Sequence, residues 1–375
     1  MAASVRHAFE AVPNFSEGRD QALLHMLAAD RHVLDVHADA DHNRSVLTLA
    51  GADLSSLSDA LFAMVALATE RIDMRRHSGL HPRVGATDVV PFVPLGGAAL
   101  SEAVSAALAL GDRIWHELGV PVYFYGAAAG GRRLADVRAG RVQPDLGRAH
   151  HPTAGALCVG ARQVLVAFNV AFNGLPMVRA RRIASLMREL PGVQALAFQL
   201  SGGLAQISLN LTRLNETSVP NAYQRACDLA GLPGEPELVG LCPAAAAGPG
   251  CDGGLLEARL AAAAARRAAD AAQIRRSEEM ARMAERLTAE SRSLAATPAD
   301  QGALLAAAER VAALMRVLVA AGLSDPELDA VLVLSAAGLR RAVSTETAAR
   351  FRRRIALMDT WLEAAAGPAT LPFYT

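Results

Sequence analysis

The first 243 residues contain the same order of secondary-structure elements twice, and this order restricts the folds that the chain can adopt. Apolar alternation and flanking breakers predict a first set of six elements: a strand over 7–14, a helix over about 18–30, strands over 31–38 and 44–51, a helix over 53–75 and a strand over 87–94. The second set comprises a strand over 161–172, a helix over 176–190, strands over 193–201 and 204–212, a helix over 219–229 and a strand over 236–243. Both sets therefore have the order βαββαβ.

The βαββαβ order is that of a ferredoxin-like unit, in which two split βαβ motifs form an antiparallel sheet with both helices on one face. The predicted fold class is therefore α/β (α+β), with two ferredoxin-like subdomains. The two sets share no visible residue-level similarity, so the duplication is one of architecture. A helix over 99–118, a strand over 120–126 and a Gly/Pro/Arg-rich passage to about residue 160 connect them. Aperiodic passages of that length are typical of functional loops or of disorder.

The composition of the chain changes after a glycine-rich stretch at 244–254. From there the sequence is rich in Ala, Arg, Glu and Leu, without a strand-like run, and it predicts three or four amphipathic helices. We therefore expect three domains with boundaries at 1–160, 161–248 and 249–375, the last an all-α helical tail or bundle. Its charges are typical of a solvated face, so we expect this region to serve oligomerisation or packing on the α/β part of the chain, and not catalysis.

The overall composition disfavours several classes of function. Lys plus Arg and Asp plus Glu both number 37, so the chain has no net positive charge that would attract nucleic acid or an acidic membrane surface. The chain contains no lysine, which excludes Schiff-base chemistry on a lysine, and its four cysteines have no CxxC spacing. No apolar run is long enough for a membrane span, and the N-terminus lacks the apolar core of a signal peptide. These features predict a soluble, cytoplasmic protein.

The segment between the second helix and the fourth strand contains the densest group of candidate functional residues. In RHSGLHPRVG, His77, His81 and Arg83 lie beside residues that break a helix. Because Gly79 and Pro82 break the helix, the two histidines do not share the helical face that an i, i+4 zinc pair requires. We therefore expect no metal. A simpler alternative is that the segment is a tight turn, with His81 hydrogen-bonded to the backbone.

Polar residues accumulate in the other loops that follow strands. They are Asn14 and Ser16 in PNFSEG, Asp39, His42, Asn43 and Arg44 in ADADHNRS, and the later HHPTAG segment. Loops held by rigid strands are where α/β proteins build their sites, and histidine is the side chain that exchanges protons most readily near neutral pH. This accumulation favours an active site over an isolated structural histidine.

Several segments, in order and spacing, resemble the formiminotransferase family from about residue 10 to residue 245. They are VPNFSEGRD, LDVHADADHNRSVLTLAG, HSGLHPRVGATDVVPFVPL, VPVYFYG, HPTAGALCVGARQVLVAFNV and ELVGLCP. The resemblance implies two ferredoxin-like subdomains with a groove between their sheets, and a homodimer. It also implies transfer of a formimino group from N-formimino-L-glutamate to N5 of tetrahydrofolate in histidine degradation, with the folate as co-substrate and no metal.

The resemblance also implies roles for individual residues. The acid/base histidine of the family falls on His81. The folate-contacting loop falls on nine residues: Gly147, Arg148, Ala149, His150, His151, Pro152, Thr153, Ala154 and Gly155. Some relatives have tryptophan where this chain has Ala154.

The charges of the implied substrates suggest further binding residues. Both substrates carry carboxylates, which arginine binds bidentately, so Arg44 and Arg83 are the candidates, with surface or structural ion pairs as the alternative. Asp39 would orient His81 or hold the amidinium of the donor, or else would only bond the backbone of its turn. Asn14 and Asn43 would bind substrate or cap turns.

Two other interpretations of the sequence stay open. A ferredoxin-like pair can bind RNA, but aromatic content is only 4%, and stacking on RNA needs aromatics on the sheet face. The chain can also be a catalytically silent folate- or carboxylate-binding scaffold. Bifunctional relatives carry a cyclodeaminase after the transferase, and its SPTPGGG-like opening is not found here. We therefore expect a transferase alone, with a separate cyclodeaminase acting downstream.

Overall fold

A computed structural model describes residues 8–148 and 151–270 of the chain. Residues 9–256 form one compact unit, and the described residues 257–270 belong to a second unit. The helix α7 (Leu256–Asp270) is the described start of the predicted C-terminal helical region, whose remainder lies outside the described residues. The domain boundaries at 160 and 248 stay a prediction. In the described part of the chain, no helix is both long and apolar enough to cross a membrane.

The described residues have a mixed α/β architecture with two sheets. The strands of the first sheet are β1 (Ala8–Ala11), β2 (Asn14–Phe15), β3 (Val33–Asp39), β4 (Arg44–Gly51), β5 (Thr87–Leu95), β6 (Val122–Gly126) and β7 (Leu157–Ala161). Those of the second sheet are β8 (Val166–Phe172), β9 (Val193–Gln199), β10 (Ala205–Leu211) and β11 (Glu235–Val239). The remaining α-helices are α1 (Gln21–Leu27), α2 (Leu54–Arg71), α3 (Leu100–Leu118), α4 (Leu134–Arg138), α5 (Met177–Met187) and α6 (Val219–Ala230).

The second sheet has the strand order β11-β8-β10-β9, and all three pairings are antiparallel. Side chains of alternate residues along β8 and β10 pack with α5 and α6 in one apolar core. The other residues of β9 and β10 point to the opposite face of the sheet, among them Phe198 and Gln206, which are direct partners in the β9–β10 register. The helices α5 and α6 pack on the other face of the second sheet and do not cover this one.

The first sheet is built around β4, which pairs antiparallel with β3 on one side and with β1 and β2 on the other. β5 pairs antiparallel with β2, and β7 and β6 extend the sheet in parallel beyond β5. The helices α1, α2 and α3 contribute to one core with these strands. The loop after β2, the turn between β3 and β4 and the segment before β5 lie together, since Asn43 has hydrogen bonds to both Gly18 and Ser78.

Three predictions from the periodicity were wrong in detail. The strand predicted over 161–172 begins only at Val166, as β8, and residue 161 is instead the end of β7 in the other sheet. The strand predicted to end at Pro13, which has no N–H to donate to the sheet, ends at Ala11 as β1, and the two-residue strand β2 after Pro13 was not predicted. The passage interpreted as a loop to about residue 160 contains both α4 and β7. Continuous apolar runs do not reveal where one strand ends and another begins.

Candidate active site

The tight turn between β3 and β4 is the centre of the candidate site. Its residue Asn43 is buried and has φ +46°, a left-handed conformation that asparagine tolerates better than most residues. The Asn43 Oδ1 accepts a hydrogen bond from the Gly18 N–H at 3.0 Å, and its Nδ2 donates to the Ser78 carbonyl at 3.0 Å. Asn43 thus ties together three loops, and the substrate-binding or turn-capping role predicted for it stays a prediction.

Arg83 holds the histidine-containing loop against the same turn. Its guanidinium donates to the backbone carbonyls of His81 at 2.8 Å, His42 at 2.9 Å and Asn43 at 3.2 Å. It also contacts the His77 ring at 2.7 Å. These contacts are those of a residue that positions the loop, and the substrate-binding role predicted for Arg83 stays a prediction.

His81 lies half-buried in this loop, between the two halves of the unit. Its Nδ1 is 2.8 Å from the Pro82 carbonyl oxygen and 3.2 Å from Nη1 of Arg44. A carbonyl oxygen only accepts hydrogen bonds, so the shorter contact places the imidazole proton on Nδ1. The Nε2 atom then carries the free lone pair and can act as a base.

The environment of His81 disfavours its protonated form. Burial is the main cause, followed by the positive charges of Arg44 and Arg138, and together they lower the pKa of His81 to about 2. The imidazole of His81 is therefore neutral near pH 7 in the protein without substrate. The base expected from the sequence to be poised near pH 7 is, in this structure, held well below it.

Asp88 links the two arginines that surround His81, and sequence reasoning missed it. This carboxylate is fully buried, and its Oδ2 accepts from Arg44 Nη1 at 2.7 Å and from Arg138 Nη2 at 2.6 Å. Its Oδ1 accepts from the Val84 N–H at 2.8 Å. Despite burial, these partners keep the pKa of Asp88 low, at about 2. The only local signal was a charged residue inside the apolar run TDVVPFVP.

The second sheet contributes side chains to the same site. The ring of Phe198 lies 4.8 Å from that of His42 and 5.8 Å from that of His81, centroid to centroid. The Oε1 of the buried Gln206 is 2.7 Å from Nε2 of His42. Gln206 in turn is 3.4 Å from the carboxylate of Glu237. None of these three residues of the second sheet was singled out from the sequence.

Asp39 and Asn14 have mainly local contacts in the structure. The Asp39 Oδ1 accepts from the backbone N–H of His42 at 2.7 Å, a bond that stabilises the turn, and the role predicted for Asp39 beside His81 stays a prediction. Asn14 donates to the Val12 carbonyl and accepts from Nη2 of Arg44. Asn14 therefore helps to orient the guanidinium that lies against His81.

The predicted folate loop lies next to the histidine loop, although Ala149 and His150 fall outside the described residues. His151 and Gly155 pair through both backbone hydrogen bonds, and Nδ1 of His151 accepts from the Ala154 N–H at 3.0 Å. Ala154 is buried. Its carbonyl accepts from the Ala86 N–H at 2.8 Å, so this loop is anchored directly to the segment that follows His81.

Gly85 makes that close approach between the two loops possible. A Cβ at this position would lie 2.0 Å from the Ala156 carbonyl oxygen and 2.5 Å from that of Ala154. We expect Gly85→Ala to separate the loops, so that the amides of Ala86 and Ala156 lose protection against hydrogen exchange. Gly174→Ala is the control, because it strains the backbone at φ +73° with no atom within 4 Å of the new methyl group. Unchanged protection in Gly85→Ala would contradict this anchoring.

We expect Arg44→Gln to raise the pKa of His81, because the variant removes one of the two cations that lower it. An NMR titration of the imidazole Cε1 proton measures this pKa directly. Arg19→Gln is the control, since Arg19 is exposed and its guanidinium binds the Ala40 carbonyl. An unshifted His81 titration in Arg44→Gln would show that burial alone sets the pKa.

The described residues offer no group of three or more His, Cys, Asp or Glu side chains that could hold a metal ion. The site instead consists of a neutral imidazole with a free lone pair, two guanidinium groups that share one carboxylate, and an aromatic ring. It is suited to binding an anionic molecule beside a group that accepts and returns a proton.

Comparison with known proteins gives concordant matches. The family model for the formiminotransferase domain, N-terminal subdomain, matches residues 8–162. The chain is similar to the glutamate formimidoyltransferase of Thermoplasma acidophilum, with 40% identity over 266 residues that cover 62% of this chain and 88% of that protein. Its similarity to the glutamate formimidoyltransferase of Streptococcus pyogenes is 38% over 268 residues, 63% of this chain and 89% of that protein. The formimidoyltransferase-cyclodeaminase of Sus scrofa is 38% identical over 273 residues, which are 62% of this chain and 50% of that protein.

Proposed function

Because the chain belongs to the formiminotransferase family, we propose that it transfers the formimino group of N-formimino-L-glutamate to N5 of tetrahydrofolate. The products are 5-formiminotetrahydrofolate and glutamate, as in histidine degradation. The observation that carries this proposal is the position of His81, with Arg44 on one side and Phe198 of the second sheet on the other.

The reaction requires that one nitrogen replace another on a single carbon atom. N5 of the folate attacks the formimino carbon, and its proton passes to Nε2 of His81. The bond between that carbon and the glutamate nitrogen then breaks, while His81 returns the proton to the departing nitrogen. A positioned acid/base contributes about 10²- to 10⁴-fold to such a step, and the alignment of two substrates in one site contributes further.

The charges of the site explain how an imidazole with a low pKa can do this work. Arg44 and Arg138 lower the pKa of His81 in the absence of substrate. A donor carboxylate bound beside these arginines offsets their charge and raises the pKa of His81 towards the range in which proton transfer is efficient. The base is then activated when its anionic substrate is in place. Titrating His81 by NMR with and without bound glutamate tests this, and an identical pKa in both states would contradict it.

The finer features of the architecture belong to the same proposal. We propose that both halves of residues 9–256 are ferredoxin-like subdomains and that the folate lies in a groove between their sheets. Contacts from His42 to Phe198 and Gln206 support this arrangement. Folate binding by 147–155 is supported by the contact of Ala154 with Ala86. Crosslinking of a photoreactive folate outside these segments would contradict the assignment.

Three properties of the protein in solution and in the cell follow from the family. We propose a homodimer, a cytoplasmic location, and a separate cyclodeaminase that consumes the 5-formimino product. Sedimentation equilibrium, cell fractionation and product analysis with and without an added cyclodeaminase test them in turn. A monomeric mass, recovery of the protein outside the cytoplasm, or deamination by the purified chain alone would each contradict the corresponding statement.

Turnover by the purified full-length chain tests the function itself. The protein is mixed with tetrahydrofolate and N-formimino-L-glutamate, and both glutamate release and 5-formiminotetrahydrofolate are followed. Folate binding measured by calorimetry without any turnover would instead identify a silent scaffold. Binding to single-stranded RNA with no affinity for folate would favour the RNA-binding alternative.

A further inference from the structure

The short helix α4 brings a second arginine to the candidate site. Arg138 is the last residue of α4, and its Nη2 donates to the Asp88 Oδ2 at 2.6 Å. The same oxygen accepts from Nη1 of Arg44 at 2.7 Å, and that Nη1 is 3.2 Å from the His81 ring. The two guanidinium groups therefore meet on one carboxylate oxygen, beside the imidazole.

The charges and hydrogen bonds at this point are unbalanced. Arg44 and Arg138 bring two positive charges to one negative charge on Asp88, and the side chains of the two arginines are only 13% and 20% exposed. Asp88 already has Arg44 and the Val84 N–H as partners. Within the described residues, Nε of Arg138 is enclosed and has no hydrogen-bond partner. A desolvated excess of positive charge with unused donors is the environment that an anion stabilises.

Arg83, in the same site, is a guanidinium whose donors are used in hydrogen bonds within the protein. Its donors contact the carbonyls of His42, Asn43 and His81. Among the residues that the structure describes, the Arg138 side chain has a hydrogen bond to Asp88 and none to a backbone carbonyl. Of the arginines near His81, Arg138 thus retains donors that a ligand can use.

We propose that Arg138 and Arg44 together bind one carboxylate of the anionic donor, next to Asp88 and within reach of His81. This inference rests on the proposed function and adds a specific substrate-binding residue to it. The donor carries two carboxylates, and either one can be the group that the arginines hold. A donor without that carboxylate should bind poorly.

The alternative is that Arg138 only neutralises the buried Asp88. In that case removal of Arg138 affects stability and both substrates alike. Under our proposal it affects the donor selectively, so steady-state kinetics separate the two. For Arg138→Gln we expect KM for N-formimino-L-glutamate to rise at least about tenfold, the loss of one charged hydrogen bond, with KM for tetrahydrofolate changed less than about twofold.

Arg141→Gln is the matched control. Arg141 lies three residues further along, is 65% exposed, and its guanidinium binds Asp136 on the surface. We expect parental kinetics from this variant. Arg138→Lys keeps the charge but loses the planar fork, and it should recover part of the affinity for the donor. If Arg138→Gln does not fold, Arg138→Lys replaces it in every comparison.

A cycle of protein and substrate changes identifies the contact directly. N-formimino-L-isoglutamine and N-formimino-L-glutamine carry an amide in place of the α- and the γ-carboxylate, respectively. Each amide is expected to lower kcat/KM in the parent protein. If Arg138 contacts the carboxylate that the amide replaces, the factor by which kcat/KM falls is at least about fivefold smaller in Arg138→Gln than in the parent protein. If each amide lowered kcat/KM by the same factor in both proteins, the proposal would be overturned. Absence of turnover in the parent would defeat the proposed function, and calorimetric binding of glutamate to the parent and to Arg138→Gln would then test carboxylate binding alone.

Discussion

Replacing His81 by alanine lowers kcat by at least about a hundredfold, the smallest effect expected from removal of a positioned acid/base. The Nδ1 atom of the half-buried imidazole faces the Pro82 carbonyl, which leaves Nε2 as the proposed acceptor of the N5 proton. Glutamate release under saturating concentrations of both substrates measures the effect. Folate affinity should change little, because the proposed folate loop keeps its own backbone contacts.

His116→Ala is the control for this experiment. His116 is exposed on α3, where its ring pairs with Asp112 on the helix surface. We expect parental turnover from it. If His81→Ala and the parent released glutamate at equal rates, the assignment of His81 as the acid/base would be wrong, whereas the family membership would be unaffected.

Asp88→Asn lowers the free energy of unfolding by about 3–5 kcal/mol, the range found when one partner of a buried ion pair is removed. The asparagine has nearly the same shape but leaves two buried guanidinium groups without a counter-charge. Urea unfolding followed by circular dichroism measures the loss. Donor binding should also weaken, since Arg44 and Arg138 lose the group that holds them together.

Asp136→Asn is the matched control, because Asp136 also bridges two arginines, Arg133 and Arg141, but at the surface. Solvent screening makes such pairs weak, so its unfolding curve should stay close to that of the parent. Equal curves for Asp88→Asn and the parent would show that the Asp88 pairs contribute no net stability.

The same residue gives a pH signature. The pKa of Asp88 is about 2 in the folded chain, against an ordinary value of 3.8 for this side chain. The unfolded chain therefore takes up the proton first, and the stability from ionised Asp88 is fully present above about pH 4 and disappears as pH falls towards 2. In Asp88→Asn this part of the acid dependence should be missing. An acid dependence identical to that of the parent would contradict the assigned pKa.

The local parts of the site could be predicted from the sequence, because residues close along the chain determine them. The left-handed turn at Asn43 and the helix-breaking segment around His81 follow from residue type alone. Both βαββαβ sets were predicted in the correct order, with element ends shifted by a few residues. The start of β8 was placed at residue 161 instead of Val166, because the ends of an element are what periodicity determines least well.

The sequence by itself determined the elements of the two βαββαβ sets, their order, and the loop that presents His81. The tertiary structure alone decided which charges surround that imidazole. It joined Arg44 and Arg138 to Asp88, from which they are 44 and 50 residues away along the chain. It also placed Phe198 and Gln206 of the second sheet beside His81 and His42. Local patterns report neighbours three or four positions away, whereas burial and charge pairing act between residues that only the packed sheets bring together.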